Sequence, residues 1–233
     1  MITSIFERKE IKYPISSRQH DELLGLLSGR ILPDEYGLTT VCNIYFDTPD
    51  HRLIRESIEK PMYKEKLRLR TYGVPGEGST AFLELKKKFD GIVYKRRETL
   101  PYGQAMAFLT ERKEPEKHGQ IFEEIEWALD LYSGLAPAMA LFYDRRAYYG
   151  AEDNELRVTF DSNIRYRTSE LDLSLGSHGK PLSVGFDYLM ELKISNSMPL
   201  WLSGALDKLH IYPGSFSKYG TAYQETILNG GES

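Results

Sequence analysis

The run KEKLRLRTYG places Lys64, Lys66, Arg68 and Arg70 at every second position. In an extended strand alternate side chains share a face, so these cations point one way and Glu65, Leu67, Leu69 and Thr71 the other. The same mixture recurs along the chain. ERKEIKY offers Arg8, Glu10 and Lys12; FLELKKK offers Glu84, Lys86 and Lys88; VYKRRET offers Lys95 and Arg97. ALFYDRRAY offers Arg145 with Tyr143 on its parity, LRVTFD offers Arg157, Thr159 and Asp161, YLMELKI offers Glu191 and Lys193, and FSKY adds Lys218. Bases in such number neutralise phosphate oxygens, and one or two carboxylates among them can hold a divalent cation that bridges those oxygens. A lysine or arginine on a single strand is ordinarily solvated, and edge strands use lysine against aggregation. Repetition of the pattern over several segments is what points to a polyanion.

Those faces need strands to present them. Residues 4–14 alternate and read as a first strand, and Ser16 or Ser17 can cap a helix carrying Leu23, Leu24, Leu26 and Leu27, with Gly29 as its stop. TVCNIYFD, residues 40–47, reads as a strand with Cys42, Ile44 and Phe46 on one face, closed by Asp47-Thr48-Pro49. Residues 62–72 and 80–88 read as strands joined by the VPGEGS turn, and Asp90-Gly91 signals a tight hairpin into IVYKRRETL. Ala105, Met106, Phe108 and Leu109 suggest a short helix, and Ile121, Ile125 and Leu129 a longer one. Strands return at 139–149, 155–161 and 185–195; a helix follows Pro199, and the polar end after FSKYG reads as a disordered tail. About eight hairpin-like strands with helices between them predict an α+β chain built on an antiparallel sheet or closed barrel, in a single domain over residues 1–233 with its core at about 4–221.

Composition narrows the partners. The net charge is −4 over 233 residues, so a basic site must be local, and a general nucleic-acid coat protein is disfavoured. One cysteine, Cys42, excludes an intrachain disulfide and suits a reducing compartment, as a buried small hydrophobe. No apolar stretch reaches spanning length and MITSIFERKEIKY lacks a signal peptide's apolar region, so the chain reads as cytoplasmic. The five histidines show no metal-ligand spacing and read as lone surface residues. No P-loop and no kinase motif set is present, so a triphosphate site must be of another kind. The sixteen tyrosines fit strand packing better than base stacking, and Trp127 and Trp201 read as core or helix–sheet contacts.

Taken in order, ERKEIKY, NIYFDTP, KLRLRTYG, FLELKKK, VYKRR, YDRRAY, RVTFD, MELKIS and FSKYG resemble the VTC domain family of polyphosphate polymerases. That family belongs to the triphosphate tunnel metalloenzymes, with the CYTH proteins as cousins. The resemblance implies an antiparallel eight-stranded β-barrel with surrounding helices, whose basic tunnel binds triphosphate. It implies a transferase that moves the terminal phosphoryl group of ATP, or another triphosphate, onto inorganic polyphosphate with Mn²⁺ or Mg²⁺. The family's basic positions map onto Lys12, Arg68, Arg70, Lys86, Lys95, Arg145, Arg157 and Lys218, with Lys66, Arg97 and Lys193 as adjacent candidates. Its metal-binding carboxylate maps onto Glu191, and Glu10 falls on a glutamate of the superfamily's ExExK strand.

Within that reading Arg68, Arg70, Arg145 and Arg157 are the catalytic candidates, because forked guanidinium donors suit the three oxygens of a transferring phosphoryl group. The lysines are point charges along the path, and the nucleophile is a terminal phosphate of the growing chain. One departure stands out: Arg8 replaces the first glutamate of ExExK, which removes a potential metal ligand and favours holding a long polyanion over hydrolysis. Two alternatives stay open. A triphosphatase on the same fold would orient water with Glu10 or Glu84; a non-catalytic module would only bind polyphosphate. Any membrane role would come through a partner protein at the membrane.

Overall fold

The computed structural model describes residues 9–59, 61–90, 92–116, 119–153, 155–195 and 197–230, with side chains described to residue 227. In chain order the elements are β1 (Lys9–Ile15), α1 (Ser17–Leu26), β2 (Ile31–Pro33), β3 (Thr39–Asp47), α2 (Arg52–Glu59), β4 (Tyr63–Tyr72), β5 (Thr80–Phe89), β6 (Ile92–Pro101), α3 (Tyr102–Glu111) and α4 (Gln120–Leu131). Then follow β7 (Ala136–Gly150), β8 (Arg157–Arg167), a 3-10 turn at Leu173–Leu175, β9 (Lys180–Pro181), β10 (Tyr188–Ile194), α5 (Leu200–Lys208) and α6 (Lys218–Gly230). The chain is α+β with an antiparallel sheet, as expected. Eight strands follow one hydrogen-bonded path, β1-β10-β8-β7-β3-β4-β5-β6, while β2 pairs with β7 and β9 with β8.

The chain divides into two compact units. The first comprises residues 1–39, 143–163 and 183–216. Its strands turn Tyr13, Ile15, Val158, Phe160, Met190, Leu192 and Ile194 to one side, against Leu23 and Leu27 of the α1 segment and Leu202 and Leu206 of α5. Helix α1 starts where its sequence predicts. Gln19 donates its backbone N–H to Ser16 Oγ (3.2 Å) and the Ser16 N–H donates to Gln19 Oε1 (3.0 Å), a reciprocal cap worth about 1 kcal/mol. His20 departs from expectation: it is buried, stacked on Tyr188 with ring centroids 4.1 Å apart.

The second unit comprises residues 40–142, 164–182 and 217–233. Here the predicted alternation is realised over β3, β4 and β5. Cys42, Ile44, Phe46, Leu67, Leu69, Leu83 and Leu85 form a buried layer against Phe108 of α3 and Phe122 and Ile125 of α4. Each such side chain, fully buried, contributes roughly 1.5–3 kcal/mol. The hairpin at Asp90 forms, with Phe89 paired to Ile92 and Asp90 at φ 45°; Gly91 lies outside the described residues, as do residues 4–8 of the expected first strand.

Two elements of this unit depart from expectation. The Asp47-Thr48-Pro49 turn closes β3 as expected, but it leads into a helix, α2, that the sequence did not suggest: the Asp47 carboxylate accepts from the N–H groups of Leu53 (2.8 Å) and Ile54 (3.0 Å). The chain after FSKYG is helical: Tyr219 and Ala222 of α6 are buried, and Tyr219 donates its hydroxyl to Asp47 (2.8 Å). Trp127 is on the exposed face of α4, beneath the Lys87 ammonium at 5.4 Å, whereas Trp201 packs on the first unit's core. Among the described residues no helix is long and apolar enough to cross a membrane.

Candidate functional site

In the second unit, strand register brings the sequence-predicted cations into rungs. Tyr45 pairs with Arg68, Arg68 with Glu84, and Glu84 with Arg97 across β3, β4, β5 and β6. One rung further, Lys66 pairs with Lys86 and Lys86 with Lys95; beyond that Lys64 pairs with Lys88. Directly opposed residues of antiparallel strands share a face, so all of these project from the side opposite the Leu67–Leu85 layer.

Glu84 is the hub of this face and is 2% exposed. Its Oε2 accepts from Arg68 Nε at 2.6 Å and lies 3.9 Å from Arg70 Nε. Its Oε1 accepts from Arg97 Nε at 2.9 Å and from Lys95 Nζ at 2.7 Å. Burial opposes ionisation of Glu84, but the charges of Arg68, Arg70 and Lys95 outweigh it and hold the carboxyl well below the usual carboxylate range. Around the hub, Arg68 Nη1 donates to the Tyr45 hydroxyl (3.1 Å) and Arg70 Nε to Asn43 Oδ1 (2.9 Å). Burial raises the pKa of Tyr45, yet Arg68, Lys66 and Arg70 outweigh it and bring the phenol to about 8. Tyr45 stacks on Tyr219 at 4.3 Å, and Lys66 Nζ reaches Ser217 Oγ at 3.5 Å, beside Lys218 at the start of α6.

The first unit carries a second, different cluster. Lys12 pairs with Glu191 and Glu191 with Thr159; the neighbouring rung is Glu10, Lys193 and Arg157. Arg145 donates from Nε and Nη2 to the two oxygens of Asp161, at 2.6 and 2.7 Å, and Asp161 is wholly buried. Burial disfavours the Arg145 charge, but Tyr143, Asp161 and Glu191 hold its pKa well above the ordinary value. Glu191 meets its cations at longer range, Lys12 Nζ at 3.7 Å and Arg145 Nη2 at 3.5 Å. Lys12 Nζ also donates to the Phe216 carbonyl at 2.9 Å. Beside Glu191 in register, Thr159 Oγ1 is buried without a hydrogen-bond partner. Arg157 is exposed with its guanidinium 5.7 Å over the Tyr149 ring, and Glu10 is exposed opposite Lys193.

The residues expected from sequence thus fall in two groups. Lys66, Arg68, Arg70, Lys86, Lys95 and Arg97 share a face of the second unit, with Lys218 nearby in sequence to Ser217. Glu10, Lys12, Arg157, Glu191 and Lys193 share three strands of the first unit, and Arg145 joins them through Glu191. Three residues named from sequence take roles it did not give them: Glu84 as a hub, Asp161 as the partner of Arg145, and Thr159 as a buried hydroxyl beside Glu191. Each stood on the right parity, but only register reveals what it faces.

A divalent ion would find no protein-only cage, since among the described residues no group of three or more His, Cys, Asp or Glu is arranged to hold a metal. Magnesium-like ions commonly take one or two carboxylates and complete their shell with water and substrate phosphates. The long contacts of Glu191 and the orphaned Thr159 hydroxyl fit that mode, whereas Glu84 is already saturated by cations.

Comparisons with known proteins agree on the architecture. A candidate adenylate cyclase from Bacillus halodurans matches with TM-score 0.56 and 17% identity, over 90% of this chain and 95% of that one. A candidate adenylyl cyclase from Hippeastrum, described as having a dominant triphosphatase activity, matches with TM-score 0.53 and 20% identity, over 94% and 96%. A candidate adenylate cyclase from Vibrio parahaemolyticus matches with TM-score 0.51 and 13% identity, over 93% and 97%. At these identities the likeness shows a shared fold. No curated protein matches the sequence. The VTC domain, however, matches residues 7–227, nearly the full length, and this chain belongs to the VTC domain family.

Proposed function

We propose that this chain is a metal-dependent polyphosphate polymerase, transferring the terminal phosphoryl group of ATP to a growing inorganic polyphosphate chain. The observation that carries the reading is the rung Lys66–Lys86–Lys95, three like charges directly opposed on adjacent strands. Such an arrangement destabilises a sheet by itself, and it adjoins the Arg68–Glu84–Arg97 rung, so the face is built to be neutralised by an anion with many charges. Phosphoryl transfer asks a protein for alignment and charge stabilisation above all. Arg68 and Arg70 would present forked donors to phosphoryl oxygens, with Lys66, Lys86, Lys95, Arg97 and Lys218 binding the chain.

In the first unit Arg145 and Arg157 would donate hydrogen bonds to phosphoryl oxygens, with Lys12 and Lys193 as point charges. Glu191, with Glu10 as a second candidate ligand, would hold Mn²⁺ or Mg²⁺, which when bound would neutralise phosphate charge. The acceptor is the terminal phosphate of the chain, already largely ionised near neutral pH, so no protein base is needed.

Triphosphate hydrolysis is the second reading, favoured by the fold shared with the Hippeastrum protein. It meets a physical objection at Glu84: a carboxylate engaged by four cations and held far below its usual range is a poor acceptor for a proton from water. Purified protein incubated with ATP and Mn²⁺ separates the two, with polyphosphate resolved on a gel and free phosphate assayed in parallel. Metal-dependent chains are expected; free phosphate without chains would move the assignment to a triphosphatase. A polyphosphate-binding module would yield neither product. A cytoplasmic location, with any membrane attachment supplied by a partner, completes the proposal.

A further inference from the structure

Glu84 is an acid at the centre of a face that would bind acid. By charge alone it opposes a phosphate ligand, yet both its oxygens are committed: Arg68 and Arg70 lie on one, Arg97 and Lys95 on the other. Each guanidinium has five N–H donors. The contacts to Glu84 engage Nε and Nη2 of Arg68 and of Arg97, and Arg68 Nη1 reaches Tyr45. The Nη1 group of Arg97 is engaged by none of these contacts and can meet a second anion. Two arginine forks and an ammonium anchored on one buried carboxylate lose little freedom when a ligand arrives, which is how preorganisation raises affinity.

We infer that Glu84 is a positioning residue, a permanent counter-ion that aims Arg68, Arg97 and Lys95 at a phosphate chain. The inference rests on the reading that this face takes phosphate. It has a second consequence at Lys95, whose side chain is 44% exposed. Burial lowers the pKa of Lys95, Glu84 raises it, and Arg97 and Arg68 lower it again, to about 8. Lys86 and, one strand on, Lys66 face it as well. Glu84 is the one carboxylate among these groups, and it keeps Lys95 charged at neutral pH.

The test is calorimetric titration of the full chain with inorganic tripolyphosphate across pH 6.5–9, comparing wild type with Glu84→Gln. Simple Coulomb repulsion predicts tighter binding when a negative charge is removed. Positioning predicts the opposite sign: binding weaker by about tenfold at neutral pH, the scale of one charge-assisted hydrogen bond. It also predicts that the loss of affinity on raising pH, centred near 8 in wild type, begins at lower pH in the variant. Equal or tighter binding with an unchanged pH profile overturns the inference. If Glu84→Gln does not fold, Glu84→Asp decides, since it keeps the charge and shortens the reach: weakened binding supports positioning, and wild-type affinity with a wild-type pH profile overturns it. A wild-type chain that does not bind tripolyphosphate overturns the phosphate reading of this face, and the inference with it, before any variant is compared.

Discussion

Glu84 and Glu191 are both buried among arginines and lysines, and they differ in how closely those cations approach. Glu84, in the second unit, meets four cations, with Arg68 Nε, Arg97 Nε and Lys95 Nζ between 2.6 and 2.9 Å. Glu191, in the first, meets Lys12 and Arg145 at 3.7 and 3.5 Å, while Arg145 spends its best donors on Asp161. A strand motif alone makes them look alike: Glu84-Leu-Lys86 and Glu191-Leu-Lys193 are the same tripeptide. The contrast teaches that contact geometry, and not motif, tells the two carboxylates apart, and it is the basis for proposing Glu191 rather than Glu84 as the metal ligand.

The sharpest way to break the comparison is to neutralise each acid in turn. Glu191→Gln is expected to lower metal-dependent turnover by about a hundredfold or more, as loss of a metal's charge stabilisation would, and to flatten the response of rate to Mn²⁺. Retention of the wild-type rate and metal response would remove Glu191 from the metal assignment. Next in size is Arg145→Ala. The change removes the guanidinium that bonds both oxygens of the wholly buried Asp161 carboxylate, and breaking such a pair costs about 3–5 kcal/mol. Denaturant unfolding measures that loss, and Arg145→Ala combined with Asp161→Asn should recover part of it without restoring turnover.

Acid sharpens the contrast further. Glu84 has a folded pKa below its unfolded value of about 4.3. Its stabilising effect is therefore complete above that value and is lost as pH falls towards the folded pKa. The stability gap between wild type and Glu84→Gln should narrow as pH falls below about 4; a gap independent of pH in acid would show that the carboxylate's charge is not what stabilises the hub. The smallest effect is expected at Thr159→Val, which removes a buried hydroxyl without a partner and should raise stability by about 1 kcal/mol. A loss of stability would mean that the hydroxyl is satisfied in solution.

Much of this was legible from alternation. The parity of KEKLRLR placed Leu67 and Leu69 in the core and Arg68 and Lys66 on the opposite face, and Cys42, Ile44 and Phe46 came out on one buried side. What parity cannot supply is register. That Arg68, Glu84 and Arg97 lie in one rung depends on where the VPGEGS turn and the Asp90 hairpin set the pairing. Glu84 therefore read as an acid that could orient water, and not as the hub of four cations.

Helix α2 escaped because RLIRESIE is short and carries charge on half its positions, and its start is fixed by a carboxylate five residues before the helix begins, Asp47, which also binds Tyr219. The same tertiary bond explains α6: a polar stretch without strong periodicity is helical because Tyr219 and Ala222 are buried.

The most direct test of the difference between the two carboxylates is Mn²⁺ binding measured by electron paramagnetic resonance in the presence of tripolyphosphate, on wild type, Glu191→Gln and Glu84→Gln side by side. The account predicts a protein-bound Mn²⁺ signal in wild type that vanishes in Glu191→Gln and survives in Glu84→Gln at saturating tripolyphosphate. A bound signal that persists in Glu191→Gln and is lost in Glu84→Gln would reverse the two roles and contradict the account.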